Sequence, residues 1–360
     1  MTPLEKLIRA IIESEGPISV SRYMALCLGH PVHGYYMTRE PLGATGDFVT
    51  APEVSQIFGE LLGLWCAEVW RMMGTPSPVC LVELGPGRGT LIADLLRAAR
   101  VAPEFHAALE LHLVETSPPL AARQRAALAS AGSSAQWHRS VDTLPERPSI
   151  TIANEFVDAL PVDQFVRSDD GWHERKVGIR NDRLAFALDP APLRAIDAMV
   201  PQPLRAHRGV VFERRDLTPI IGLAARIPAR GGVALVIDYG HTRSAFGDTL
   251  QAVRAHRVAD PLQSPGEADL TAHVDFEQLA AAAMKAGVDT VGPITQGKFL
   301  RALGIELRAE RLKHGKDTST VRMIDEAVAR LAGRAPGMGE LFKVLALAHP
   351  ALPILPGFDS

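Results

Sequence analysis

Leu81-Val82-Glu83-Leu84-Gly85-Pro86-Gly87-Arg88-Gly89-Thr90 decides how this chain of 360 residues folds. The apolar run that begins at Val79 reads as a buried strand, and it enters a turn with glycine at 85, 87 and 89. Helical spacing takes over from Leu91. Strand, glycine turn and helix in that order are the first half of a βαβ unit, whose ligand crevice lies outside the carboxyl end of the strand. Glycines let a nucleoside touch the backbone, and the helix N-terminus beyond offers free N–H groups to an anion. The spacing also discriminates. A dinucleotide fingerprint, GxGxxG, needs glycine at position 90, where this chain has Thr90, so a nicotinamide dehydrogenase is disfavoured. The GxGxG present here suits S-adenosylmethionine, and Pro86 removes an N–H that a pyrophosphate would use.

Downstream, short apolar runs at 111–114, 150–153 and 233–237 alternate with helical stretches around 90–99, 118–131 and 216–228. Runs of this length are typical of parallel strands buried on both faces, so the expected class is α/β with a doubly wound sheet. Polar residues fall at successive strand ends. Glu115 ends the second strand, where a carboxylate accepts both ribose hydroxyls of a nucleoside. Asp142, one strand later, is placed to accept from an adenine amino group. Asn154-Glu155-Phe156-Val157-Asp158-Ala159-Leu160-Pro161 ends the fourth. One such acid by itself most simply caps the helix after it; the ordered series favours a cofactor crevice.

Ahead of the glycine turn, Thr2 and Glu5 in capping-box order precede Leu4, Leu7, Ile8, Ile11 and Ile12 on one helical face. A second helix is expected after Ser19. The Gly, Thr and Pro density of residues 29–52 makes a long loop, read as a lid over 37–52. From Glu53 to about Arg71 apolar residues recur at threes and fours, the pattern of a core-facing helix. Two segments break the strand–helix alternation: a polar meander over 162–190 around Asp169-Asp170-Gly171, and a helical stretch over 297–335. The chain closes with a strand at 341–348, expected to pair antiparallel with one near 288–294. The domain reading is therefore a helical N-terminal region with lid over 1–75. A Rossmann-like core follows over 76–295 and 338–350, with a meander insertion near 162–210 and a helical insertion over 296–337. Gly292 to Phe299 matches GxxxxGK, but Phe299 replaces the hydroxyl that would hold magnesium, so no phosphate loop is read there.

With 38 basic and 41 acidic side chains the net charge is −3, and no basic footprint for nucleic acid is visible. Acids, bases or prolines interrupt every apolar stretch short of the roughly 18 residues a membrane span needs. Cys27, Cys66 and Cys80 form neither a CxxC pair nor a disulfide framework. His30 and His33 lack companion ligands, so no metal is expected. The acids near the N-terminus do not suit a transit peptide, and a cytoplasmic location is expected.

Several blocks together resemble the MidA family of S-adenosylmethionine-dependent methyltransferases. They are Gly46-Asp47-Phe48-Val49-Thr50-Ala51-Pro52-Glu53, the glycine turn, 154–161, Ile237-Asp238-Tyr239-Gly240-His241, 268–276 and Met338-Gly339-Glu340-Leu341-Phe342-Lys343. They span nearly the whole chain; Val157 stands where a second aromatic is expected. The resemblance implies a class I methyltransferase fold with inserted segments. It also implies a protein substrate, an arginine on a matrix-arm-type subunit of respiratory complex I. A small-molecule methyltransferase and a non-catalytic assembly factor that keeps the fold are the alternatives. The expected cofactor-binding residues are Glu83, Gly85, Gly87, Gly89, Glu115, Asp142, Asn154 and Thr50. Methyl transfer needs positioning more than a covalent nucleophile. Glu155 and Asp158 are the catalytic candidates, because paired carboxylates can grip and orient a planar guanidinium.

Overall fold

Every residue of the strand Val79–Leu84 is buried, the apolar ones as their run predicts and Glu83 along with them. It lies inside a sheet whose strands run Gln136–His138, Leu109–Val114, Val79–Leu84, Ser149–Asn154, Gly232–His241, Phe342–Ala348 and Asp289–Thr295. Neighbours from Gln136–His138 through Gly232–His241 are parallel. Phe342–Ala348 is antiparallel to both its neighbours, which is the expected closing pair. Chain order reverses between Val79–Leu84 and Ser149–Asn154, the switch point at which doubly wound sheets bind ligands. The computed structural model describes residues 1–38, 49–130, 132–201, 204 and 207–358. Most of the expected lid, 39–48, lies outside the described residues.

Two compact units are each assembled from three stretches. One comprises Met1–Phe48, Asp158–Leu217 and Arg243–Asp275; the other comprises Val49–Val157, Thr218–Thr242 and Phe276–Ser360. These bounds divide the chain elsewhere than the expected three-part organisation does, since 1–48 groups with 158–217 and 243–275 rather than with the helix that follows it.

The second unit holds the parallel sheet. Its helix Gln56–Met72 starts three residues later than the spacing suggested, because Ser55 is extended and its hydroxyl accepts from the Ile57 N–H, capping the helix there. Ala51–Val54 forms a separate short turn before it. Gln56–Met72 packs on Thr90–Ala99 through Gly59 and Gly63. A Cβ at Gly63 would come within 2.6 Å of the Leu95 carbonyl oxygen, so only glycine permits this approach. Phe58, Leu62, Trp65, Leu91 and Leu95 fill the contact and are buried. Glu60, buried on the same helix, is held by Arg97 at 3.2 Å and by Arg308 of the helix Ile305–Lys313 at 2.8 Å. Two guanidiniums thus compensate one desolvated carboxylate. The helices Gln296–Ala302, Ile305–Lys313 and Thr318–Ala332 occupy the stretch read as helical, and Thr295 caps the first of them.

The first unit holds an antiparallel sheet in the order Ile18–Ser19, Trp172–Arg180, Val162–Arg167 and Val211–Arg215, with Arg183–Leu188 beside Trp172–Arg180. The Asp169-Asp170-Gly171 turn joins the hairpin, with the Ser168 N–H donating to the Gly171 carbonyl at 2.8 Å. Thr2 and Ser19 cap Pro3–Glu15 and Val20–Gly29 with side-chain oxygens, as their sequence positions suggest. Leu4, Ile8, Ile12, Tyr23 and Met24 bury their side chains in this unit's core with Val177, Ala252 and Leu270.

Candidate functional site

In the second unit the glycine turn follows Val79–Leu84 directly. Gly85, Gly87 and Gly89 have φ of 61°, 53° and 84°, a region that L side chains avoid. At Gly85 a Cβ would also lie 2.9 Å from the Phe156 ring. Gln124, fully buried, fixes the turn from below. Its Nε2 donates to the Gly87 carbonyl at 2.8 Å and to Glu115 Oε2 at 2.9 Å, while its Oε1 accepts from the Trp137 indole at 2.9 Å. Glu115 Oε1 accepts from the Ser117 N–H at 2.7 Å. One amide side chain therefore ties the glycine turn to the ribose-type carboxylate of the next strand. Gln124 carries no signal in the sequence, whereas Phe156 lies in the 154–161 block marked there.

Thr90, which decides against a dinucleotide fingerprint, opens the helix Thr90–Ala99 and donates its hydroxyl to Glu53 Oε1 at 2.5 Å. Arg88 lies 3.7 Å from the other Glu53 oxygen. Glu53 belongs to the turn Ala51–Val54, for which Thr50 is the N-cap residue, its carbonyl accepting from Glu53 and Val54 N–H groups. The segment after the expected lid is thus anchored to the glycine turn within this unit. Asp142 sits on an exposed single turn, Val141–Thr143, with its carboxylate accepting from the Ser140 hydroxyl at 2.7 Å.

Glu83 is buried and its carboxyl is pushed up to about 8, chiefly by loss of solvent, with the charge of Glu115 adding to it. Glu83 Oε2 and Asn154 Oδ1 are buried acceptors on adjacent strands, with no hydrogen-bond partner among the described residues. Orphaned acceptors are costly, and a cationic donor relieves them. The ammonium of S-adenosylmethionine is such a donor, so the residues present fit that cofactor.

Glu155 is one of few non-glycine residues with positive φ, 50°. The Glu155 N–H donates to the Ile237 carbonyl at 2.9 Å, and its Oε1 accepts from the Ala51 N–H at 2.8 Å and from Asn154 Nδ2 at 3.2 Å. Turns rather than a helix follow it, so it is not a helix cap. Strain of this kind persists where the surroundings over-determine it, commonly at functional sites. Asp238, fully buried on Gly232–His241, takes the Val157 N–H on Oδ2 at 2.9 Å and helps to hold the turn.

In the first unit Asp158 opens the middle stretch and is buried. Burial raises its carboxyl, and the Arg215 guanidinium opposes that rise. Arg215 bonds to four backbone carbonyls: Nη1 to Asp158 at 2.9 Å and Leu160 at 2.5 Å, Nη2 to Ala272 at 2.7 Å and His273 at 3.1 Å. It clamps the 158–160 segment to the 272–273 segment. The Tyr36 hydroxyl donates to Asp269 Oδ1 at 2.9 Å, and burial with the charges of Asp269 and Asp158 raises that hydroxyl well above its ordinary value. Asp269 lies in a block that the sequence marked; Tyr36 and Arg215 do not.

Residues 61–294 match the model of a family of S-adenosyl-L-methionine-dependent methyltransferases. A curated relative, the mitochondrial protein arginine methyltransferase NDUFAF7 of Danio rerio, is 37% identical, covering 96% of this chain and 87% of its own. Its Drosophila melanogaster homologue is 38% identical, covering 96% and 84%. A crystal structure from Burkholderia thailandensis bound to S-adenosylhomocysteine superposes with a TM-score of 0.86 at 32% identity, covering 99% of this chain and 94% of that one. The curated relatives are designated mitochondrial, which corrects the cytoplasmic expectation. That expectation rested on the first 15 residues, which are a packed helix of the fold with Leu4, Ile8 and Ile12 buried and report on no compartment. Identity of this extent bears out the resemblance to the MidA family: the chain belongs to the S-adenosyl-L-methionine-dependent methyltransferases, and S-adenosylmethionine is its cofactor.

Proposed function

We propose that this methyltransferase acts on an arginine side chain of a protein, and that the protein is a matrix-arm-type subunit of respiratory complex I. The names of the curated relatives support an arginine acceptor, and the resemblance to the MidA family supports the complex I subunit. The observation that carries the chemistry is Glu155, a carboxylate oriented by two N–H donors on a left-handed backbone at the switch point of the sheet.

A guanidinium is protonated at any physiological pH, and its charge is spread over three nitrogens. Bound S-adenosylmethionine supplies an electrophilic methyl group on a sulfonium. Glu155 accepts N–H bonds from the guanidinium, draws its positive charge toward one side and leaves a lone pair localised on the nitrogen to be methylated. Asp158, whose backbone carbonyl the Arg215 clamp holds, is the second candidate carboxylate. The new N–CH3 bond forms as the S–CH3 bond breaks, and the proton displaced from nitrogen passes to a carboxylate and then to solvent. Glu83 and Asn154 hold the ammonium of the methionine portion, Glu115 the ribose and Asp142 the adenine, with Gly85, Gly87 and Gly89 admitting the nucleoside and Thr50 closing over it.

The test is methyl transfer from labelled S-adenosylmethionine to purified complex I matrix-arm subunits and to arginine peptides cut from them. Glu155→Gln should retain S-adenosylhomocysteine binding while losing about 10²-fold or more of turnover, the range for removing a positioned proton-transfer group. Undiminished turnover in that variant, or transfer to no arginine in any subunit, would overturn the proposal.

A further inference from the structure

At the opposite end of the parallel sheet from the glycine turn, Cys80, Glu110 and His112 bring one sulfur, one carboxylate oxygen and one imidazole nitrogen within 4.8 Å of one another. They come from neighbouring strands. Cys80 stands directly across from Glu110, and His112 is two residues further along the same strand, hence on the same face. Gly85 lies five residues beyond Cys80, about 16 Å along the strand, so this cluster is separate from the cofactor crevice.

The hydrogen-bond chain behind His112 defines its tautomer. The Thr143 hydroxyl donates to the Ser140 carbonyl at 3.0 Å, so its oxygen must accept from His138 Nδ1–H at 2.9 Å. His138 Nε2 is then a bare acceptor, and His112 Nδ1–H donates to it at 3.0 Å. His112 Nε2 is left with an unprotonated lone pair. That nitrogen is wholly buried, with no hydrogen-bond partner among the described residues. A histidine whose one ring N–H is anchored and whose other nitrogen keeps a buried lone pair has the usual arrangement of a metal ligand.

We propose that Cys80, His112 and Glu110 form a binding site for a late first-row divalent cation of the zinc class. Thiolate and imidazole exclude magnesium and calcium, which prefer all-oxygen shells. Three protein ligands leave a fourth tetrahedral position open for water. Bonds of about 2.0–2.3 Å place tetrahedral ligands roughly 3.5 Å apart, so a modest inward movement of the three groups suffices, and the half-buried Glu110 supplies most of it. Binding forms an S–metal bond and releases the thiol proton to solvent, one per cation. Arg147 pairs with Glu110 at 2.9 Å and competes with the cation for that carboxylate.

The experiment titrates the purified 360-residue chain, stripped of chelator, with Co²⁺ alone and then with Zn²⁺. One equivalent of Co²⁺ should produce a sulfur-to-cobalt charge-transfer band that Zn²⁺ abolishes. Cys80→Ser should remove the band. Glu110→Gln should weaken binding about tenfold, the lower end for loss of a supporting group at a metal site, and Arg147→Ala should strengthen it. S-adenosylhomocysteine binding, unchanged throughout, reports that each variant folds. Absence of the band, its persistence in Cys80→Ser, or equal affinity in Glu110→Gln and Arg147→Ala would overturn the site; the last two variants leave the buried thiol and imidazole in place and test it even if Cys80→Ser fails to fold.

Discussion

At Glu83 burial and the neighbouring charge of Glu115 act in one direction, raising the carboxyl from its ordinary 4.5 to about 8. Between those values the unfolded chain has released the proton that the folded chain keeps, so stability of the ligand-free protein falls as pH rises through this window. The contribution is complete below about 4.5 and gone above about 8. An ammonium placed against Glu83 favours the carboxylate, so S-adenosylhomocysteine should expel a proton on binding near neutral pH. Calorimetry in buffers of different ionisation enthalpy should show a buffer-dependent heat in the natural protein. Glu83→Gln should bind more weakly and without that dependence; proton release persisting in the variant would exclude Glu83 as its source. The glycines of 85–89 were legible because their signal is local: a strand, then positions where only glycine fits. Gln124 and Arg215 were not, since their meaning lies in partners tens of residues away, such as the Gly87 carbonyl and the Asp158 carbonyl.

Among the elements, the strand Val211–Arg215 ends in a side chain that does the work of a cap for two loops. Four carbonyl acceptors match the planar fork of a guanidinium and not the point charge of an ammonium. Arg215→Met should lower stability by about 3 kcal/mol, the scale for hydrogen bonds to a charged group left unmade beside a buried carboxylate, and Arg215→Lys should recover less than half of it in urea denaturation. Full recovery by lysine would mean that charge, not geometry, matters here. Element types followed from periodicity, and the βαβ alternation placed the parallel strands closely. Boundaries shifted where a single side chain intervened. Ser55 caps its helix and moves the start from Glu53 to Gln56, and no apolar pattern reports that. The metal-type cluster escaped notice because Cys80, Glu110 and His112 follow no ligand spacing along the chain and converge only through strand register.

For the whole molecule, ligand binding is a stability measurement. S-adenosylhomocysteine at one hundred times its Kd should stabilise the folded state by about 2.7 kcal/mol and raise the melting temperature by several degrees. Gly87→Val, which forces a branched side chain into a left-handed position of the turn, should melt at one temperature with or without it; an equal rise in the variant would move the cofactor away from the turn. Contact units that interleave along the chain were not legible, because sequence reading divides a chain into consecutive blocks. Ile18 pairs with Val177, about 160 residues later on the growing polypeptide. At about 5–20 residues per second, the ribosome leaves Leu4, Ile8 and Ile12 without their strand partners for roughly ten to thirty seconds. Through that interval the apolar face of Pro3–Glu15 can bury itself only against its sequence neighbours Tyr23 and Met24, so the order of synthesis holds one wall of this core open until the other is made.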